Sequence, residues 1–467
     1  MRPEVAARPN SLAARDAHVL LHPYTNAVEN EAEGAFVVTR GEGVYVYDED
    51  GRKYLDAMAG LWCASLGFSN ERLAQAASDQ IRKLAFYQSF HRRSHPAQIE
   101  LAERLLAIAP KPMARVFFAN SGSEAADSAI KIAWFYNIAR GKPDKRKIVG
   151  RRRGYHGVTA AAASLSGMAH NHDGFGLPLP GFLHTDTPHY ARLAEPGESE
   201  EAYSSRLAAN LDSLIRAEGP DTVAAFFAEP VMGVGGVLLP PKTYFEKIER
   251  VLRAHDVLFV ADEVITGFGR TGSMWACETF GLTPDLVTCA KALSAAAAPI
   301  AAVMMSEKVY RTVADKTGEL GTFGHGFTYS GHPVSAAVAL ETLKIYEEMD
   351  LVGRVREIGP YLQAKLAAFR GQEMVGEVAG IGMLGVIELV RDSKTGAPFD
   401  PALKVGPHLA ERALAHGLVV RAMGDRIGFA PPLIIGRAEL DELFDKFAAA
   451  LEDTRTWAKS RAGTAPA

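Results

Sequence analysis

Cysteine is scarce in this sequence. Three thiols among 467 residues, at Cys63, Cys277 and Cys289, cannot make a disulfide framework. Their scarcity fits a reducing compartment. Long apolar runs are missing as well: no stretch of about 18 apolar residues occurs, and the N-terminus carries no apolar signal segment. Neither a membrane span nor export is expected, and a cytoplasmic location is. An excess of one charge sign is also missing. A net charge of −4, from 51 basic and 55 acidic residues, offers no field for nucleic acid or an anionic membrane. The one basic cluster, residues 145–147 with 151–153, flanks the strand-like Ile148-Val149 and is expected at a solvated strand edge. Internal repeats are lacking, and the four alanines at 295–298 are too few for low complexity.

What is present is an ordinary soluble composition, 48% hydrophobic and 23% charged, in a chain long enough for one large domain and a smaller one. Residues 1–15 lack periodicity and are expected as a loose arm. A glycine turn between residues 43–47 and 53–55 predicts a hairpin. Helical spacing follows at 71–84 and 97–108. From residue 115 onward strands and helices alternate. Strand-like runs lie at 115–119, 148–149, 181–184, 222–228, 257–261, 286–290 and 301–305, with helices such as 124–138 and 242–255 between them. That order predicts an α/β fold with a mostly parallel sheet covered on both faces. Beyond Pro333 come helices at 335–349, 406–416 and 437–457 and strand-like runs at 374–389 and 418–421, an α+β pattern. The expected division is an N-terminal segment 1–75, part of the small domain, a large domain 76–333 and a C-terminal small domain 334–467. The tail from Lys459 is low in order signals.

Two apolar runs each end in one charge: residues 257–261 in Asp262, and 286–290 in Lys291. Ligands of open α/β sheets sit beyond the carboxyl ends of the strands. A carboxylate and an amine are thus expected in one crevice, which is what a pyridoxal phosphate (PLP) site needs. A lysine there either snorkels to solvent or is buried, and burial frees the nucleophilic amine. Ser121-Gly122-Ser123 lies between a strand and a helix, as a phosphate cradle or a plain serine cap. Tyr155-His156-Gly157 reads either as a ring-stacking site or as a turn with an exposed aromatic. Residues 267–272 match G-x-G-x-x-G, which keeps a nicotinamide-dependent oxidoreductase open, although no helix follows directly and no acidic residue closes a second strand. His91 and His95 have zinc-like spacing, but Pro96 is expected to break that helix, and a solvent or interface role is expected instead.

From about Pro23 to Trp457 the chain resembles the class III (omega) aminotransferases of the fold type I PLP enzymes. The resemblance rests on the segments 121–125, 155–157, 229–233, 261–272, 291–294, 325–333 and 431–433. It implies that residues 267–272 belong to that framework. It implies that Lys291 forms the Schiff base with PLP and then carries a proton, and that Asp262 pairs with the pyridine nitrogen. Tyr155 and Val264 would sandwich the ring, with His156 and Glu229 supporting it. Ser121, Gly122 and Ser123 would hold the phosphate, with Thr328 arriving from the partner of a homodimer, or of a dimer of dimers. Within the family the chain looks most like the amine:pyruvate (omega-amino acid:pyruvate) subgroup. Trp62, Phe90, Tyr155 and Val234 would line the substrate pocket, and Arg421 would pair with a substrate carboxylate. An aminomutase or a decarboxylase on the same fold would share Lys291 and Asp262. No metal is expected. Three departures stand out: Ala292, the alanines at 295–298, and Val234, whose size would shrink one pocket.

Overall fold

The computed structural model describes residues 8–462. Its centre is a seven-stranded sheet. The strands are β1 (Val38–Glu42), β2 (Tyr45–Asp48), β3 (Lys53–Asp56), β4 (Met113–Ala119), β5 (Lys147–Arg151), β6 (Phe182–Thr185), β7 (Val223–Ala228), β8 (Leu258–Asp262), β9 (Leu286–Cys289), β10 (Ala301–Ser306), β11 (Val375–Ile381), β12 (Leu384–Leu389), β13 (Leu418–Val419), β14 (Arg421–Met423) and β15 (Arg426–Phe429). The central order is β4-β10-β9-β8-β7-β5-β6. Only β10 runs against its neighbours, β4 and β9. The other six therefore point their carboxyl ends the same way, as a mostly parallel sheet requires.

The apolar runs become strands because both of their faces are covered. Along β8, Leu258 and Val260 enter one core while Phe259 and Ala261 enter the other. Along β10, Ala301 and Val303 take the first and Ala302 and Met304 the second. This period of two places every side chain of β7 and β8 out of water, so no polar face is needed. The helix Gly122–Ala139 turns Ala125, Ala129 and Ala133 inward, and such small residues let it approach the sheet closely. The helix Tyr244–Ala254 covers the other face with Phe245, Ile248 and Leu252.

The hairpin expected at 43–55 is present as β2 and β3, with β1 added outside Tyr45–Asp48. Strand β3 also pairs in parallel with β13, Leu55 opposite Leu418, so the two ends of the chain share a sheet. The strand-like run 374–389 is two strands, β11 and β12, which turn at Gly382 with φ of 55°. The run 418–421 likewise divides, since β14 joins β15 in a different sheet.

Several expectations need correction. Part of the arm is ordered: Ser11 caps a helix at Leu12–Val19, while residues 1–7 lie outside the described residues. The last helix continues to Ala462, and 463–467 lie outside as well. Pro96 opens a helix and does not break one, because the first helical position has no amide to lose. His95 caps that helix through the amide of Gln98 and ties it to Gly331 O at 2.9 Å. The basic cluster is not simply a solvated edge. Lys145 and Arg151 are buried, the first donating to Pro220 O and His255 O, the second to Glu229 O. Among the described residues no group of His, Cys, Asp or Glu is arranged to hold a metal, and no helix is long and apolar enough to cross a membrane.

The loop that carries Thr328 is tied down by His325. Its Nε2 lies 2.8 Å from Ser128 Oγ on the helix Gly122–Ala139, and its ring stacks on Phe117 with centroids 5.3 Å apart. Burial, helped by the charge of Lys131, pushes the imidazole down to about 4. The unfolded chain takes up this proton near pH 6.5 and the fold resists it, so stability falls as pH drops from about 6.5 towards 4. In His325→Gln this part of the pH dependence is expected to vanish. Denaturant midpoints of both proteins at pH 7.5 and pH 5 check it, and parallel curves would disprove the assignment.

Candidate active site

The parallel strands deliver their next residues to one cavity of about 340 Å³. Residues 120–123 follow β4, Tyr155 and His156 follow β5, Glu229 follows β7, Asp262 ends β8 and Lys291 follows β9. Cys63, Val231, Val264, Ile265, Ala296 and Ile300 are among the other lining residues.

Lys291 is half-buried and opens a turn, Lys291–Ser294, with φ of 49°. Ala295 and Ala296 share the left-handed region, at 47° and 68°. Each such non-glycine residue costs about 1–2 kcal/mol, so the turn needs outside support. Tyr346 supplies it by donating to Ala292 O at 2.6 Å, and Ser294 Oγ by donating to Ala298 O at 2.6 Å. The alanine run is thus a wall of the site. Burial lowers the Lys291 ammonium below its ordinary value, and the negative charge of Asp262 only partly opposes this. The free amine becomes more available as a nucleophile.

Asp262 is buried, and burial alone would keep it protonated. The groups around it win. His156 Nδ1 lies 2.7 Å from Oδ2, while Thr288 Oγ1 at 3.1 Å and the Val264 amide at 3.2 Å donate to Oδ1. Together they hold the carboxyl below its usual range. An ionised Asp262 assigns the His156 ring proton to Nδ1, as donor; His156 Nε2 has no partner among the described residues. Glu229 takes the opposite course. Burial raises it, with the amides of Tyr155 and Gly233 bound at 3.1 and 2.8 Å.

At the cradle, Ser121 caps the 18-residue helix through the Glu124 amide, and Ser123 Oγ accepts from the Val158 amide at 3.1 Å. The serine is a cap, and the same helix start lines the cavity, where its positive dipole end would suit an anion. An added Cβ on Gly157 would stand 2.5 Å from Ser123 Oγ, and one on Gly122 would stand 3.2 Å from Val264. The backbone here is kept bare and close, which suits a phosphate. A phosphate cradle, a buried anion and a depressed lysine in one cavity fit PLP. Ser121, Gly122 and Ser123 would take its phosphate, Asp262 its ring nitrogen and Lys291 its aldehyde, with Tyr155 and Val264 both on the cavity wall.

The remaining expected residues lie around this centre. Trp62 and Val234 do not line the cavity themselves. They pack in one apolar cluster with Val231 and Ile265, which do. Arg421 is half-buried near Tyr155, close enough for its charge to lower Lys291. Phe90 and Thr328 are exposed and outside the cavity of their own chain. Tyr24 is a further residue here. It lies near Tyr155 and Arg421 and donates to Asn171 Oδ1 at 2.8 Å. Nothing in its own segment marks it, because its partners lie far along the chain.

The family model for class-III aminotransferases matches residues 27–451. The chain belongs to that family. Among its relatives, gamma aminobutyrate transaminase 3, chloroplastic, of Solanum lycopersicum is 49% identical over 451 residues, 95% of this chain and 87% of that protein. Gamma-aminobutyrate transaminase 1, mitochondrial, of Oryza sativa subsp. indica is 48% identical, covering 94% of this chain and 85% of its own length. Among solved structures, the omega transaminase from Pseudomonas jessenii in complex with PMP superposes with a TM-score of 0.94 at 50% identity, over 96% of this chain and 99% of that one. This class-III aminotransferase is therefore a PLP-dependent transaminase of fold type I, acting on an amine and a keto acid. The G-x-G-x-x-G match at 267–272 is part of its framework. The nicotinamide alternative falls.

In this aminotransferase the cradle tolerates no extra atom at Gly157, whose φ of 130° already favours glycine. Gly157→Ala is expected to weaken PLP binding at least about tenfold, the effect of losing one good charge-assisted contact. Titration of the apo-protein with PLP, followed by absorbance, measures it; an unchanged affinity would show that the loop has room to spare.

Proposed function

We propose that this aminotransferase moves the amino group of an amine or omega-amino acid donor to pyruvate, in two half-reactions at one site. The observation that carries this reading is Arg421, half-buried beside Tyr155 and Tyr24, with no carboxylate partner among the described residues. Burial lowers its pKa, so an incoming carboxylate answers a cation that the protein leaves unneutralised. The relatives named as gamma-aminobutyrate transaminases support a donor that carries a carboxylate as well as an amine. In the other half-reaction the same guanidinium would receive the carboxylate of pyruvate.

Bound at this site, PLP supplies an aldehyde for the amine and an electron sink for the substrate carbanion. The protein supplies the rest. Asp262, kept ionised by His156, Thr288 and the Val264 amide, holds a proton on the ring nitrogen. Lys291, its amine freed by burial, would hold the cofactor's aldehyde end and take up a proton at the substrate Cα. Tyr155 and Val264 bracket the ring, and Glu229 fixes the Tyr155 backbone. Ser121, Gly122 and Ser123 anchor the phosphate end so that the reacting carbon stays beside Lys291. Trp62 and Val234, packed behind the cavity-lining Val231 and Ile265, back the wall that limits the donor's substituents.

We place Phe90 and Thr328 in the neighbouring site of a homodimer. Their exposure, with Phe86 and Tyr329 exposed beside them, supports that placement. The division at 75 and 333 and a cytoplasmic location complete the proposal. The three free cysteines support a reducing compartment.

Loaded protein should absorb in the visible, lose that band on addition of an amine and regain it with pyruvate. In Lys291→Ala neither change should occur, and a wild-type-like cycle in that variant would sink the assignment. Arg421→Ala is expected to raise the KM for pyruvate about 10- to 100-fold, the worth of a charged hydrogen-bond pair. The half-reaction with an uncharged amine should change less than about threefold. Steady-state and single-turnover kinetics separate the two, and equal damage to both would remove the role given to Arg421.

A further inference from the structure

One wall near the cavity is a tight hairpin at residues 232–238. Met232 and Leu238 exchange both backbone hydrogen bonds, at 3.1 and 2.9 Å, and the amides of Gly236 and Val237 both donate to Gly233 O at 3.0 Å. Val234, at its tip, is half-buried, and its neighbours in the hairpin are buried. Three polar side chains grip this hairpin from outside. Glu229 Oε2 accepts from the Gly233 amide at 2.8 Å. Arg153 Nη2 donates to Gly235 O at 2.6 Å, and Arg426 Nε donates to Gly236 O at 2.9 Å. No slack surrounds them. A Cβ on Gly233 would stand 2.4 Å from Ile265 Cδ1, and one on Gly236 would stand 2.8 Å from Arg426 Cδ.

The two arginines are themselves fixed. Arg426, with a side chain 5% exposed, donates to Glu377 Oε2 at 2.7 Å and lies 3.6 Å from Glu388. Glu377 also meets His189 Nε2 at 2.7 Å, and the other face of that ring, Nδ1, lies 3.4 Å from Arg153. One buried network therefore ends in two cations aimed at successive carbonyls of one turn. Arg426 begins β15, whose Gly428 pairs with Arg421 and would touch Trp62 if it carried a Cβ, at 3.4 Å. The same strand thus meets the hairpin, the indole and the carboxylate-facing arginine.

We infer that Arg426 and Arg153 are specificity-determining positioning residues. By pinning Gly235 and Gly236 they hold the 232–238 hairpin, and with it Val234, behind the cavity-lining Val231 and Ile265, and so cap the size of the small substituent on the donor's amine-bearing carbon. The substrate class this selects is amines with one short substituent, methyl and not ethyl or longer. A valine on a free loop would yield to a bulkier donor. A valine on a clamped hairpin does not. This inference rests on the reading of Val234 as a wall of the donor site.

The test uses the holoenzyme with pyruvate and two donors, 1-phenylethylamine and 1-phenylpropylamine. In Arg426→Gln, and independently in Arg153→Gln, the ratio of kcat/KM for the larger donor over the smaller should rise about tenfold, the lower end of what one methylene commands in a tight pocket. The change should appear in the larger donor's KM, with kcat for the smaller donor within about twofold. In a Val234→Ala background the Arg426→Gln change should add little, because the two act through one wall. Amide hydrogen exchange of residues 233–237 in the full chain without cofactor should quicken in Arg426→Gln. Unchanged exchange removes the clamp. Faster exchange with an unchanged donor ratio removes its control of specificity, and a proportional loss for both donors does the same. If the wild type turns over neither donor, the reading of Val234 as a wall of the donor site fails, while the exchange experiment still decides the clamp. Should Arg426→Gln not fold, Arg153→Gln and Glu377→Gln carry the same expectations.

Discussion

An ionised carboxylate inside the protein is the constraint around which this site is built. Removing a charge from water costs several kcal/mol unless hydrogen bonds replace the solvent. Asp262 meets that cost with His156, Thr288 and the Val264 amide. Those three donors come from the segment after β5, from β9 and from the turn after β8. To keep one anion, the fold must hold three elements in register. The same requirement places Lys291 at the end of the next strand, since Asp262 and Thr288 are direct partners across β8 and β9. Geometry that serves the charge therefore also serves the amine.

The surrounding groups show how strongly position decides ionisation here. Glu229 lies at the end of β7, next to β8, and is as buried as Asp262, yet burial raises it. Its acceptors are used by two backbone amides, and among the described residues no side-chain hydroxyl or imidazole hydrogen-bonds with it. Two carboxylates at adjacent strand ends thus carry different charge tendencies. One suits a cationic ring nitrogen, the other a fixed backbone.

Much of this was readable before any coordinates. The apolar runs ending in Asp262 and Lys291 announce a parallel sheet, because only strands covered on both faces lack polar alternation. The serine–glycine turn at 121–123 and the strand-to-helix alternation follow from local chemistry alone. All but one of the failures share a cause, which is pairing across distance. Lys145 and Arg151 look solvated in sequence, but carbonyls from remote segments take their protons. The runs 374–389 and 418–421 look continuous, yet each divides between partners that only topology brings together. Pro96 was misread because a proline at a helix start and a proline inside one look identical locally. Tyr24, Arg153 and Arg426 carry no local signal, since each acts through groups far from it in the chain.

The short parallel pairing of β3 with β13 has a consequence for how the molecule comes to exist. Residues 55 and 418 must meet before this sheet closes. The segment bearing Trp62 leaves β3 directly, and Asp56 at that strand's end receives the amides of Met58 and Gly60. A chain emerging from the ribosome can finish its central strands and the phosphate cradle well before residue 418 appears. The indole then waits for the last fifty or so of the 467 residues. The strand ends around Asp262 and Lys291 are thus made early in synthesis, and the packing around Trp62 is made only at the end.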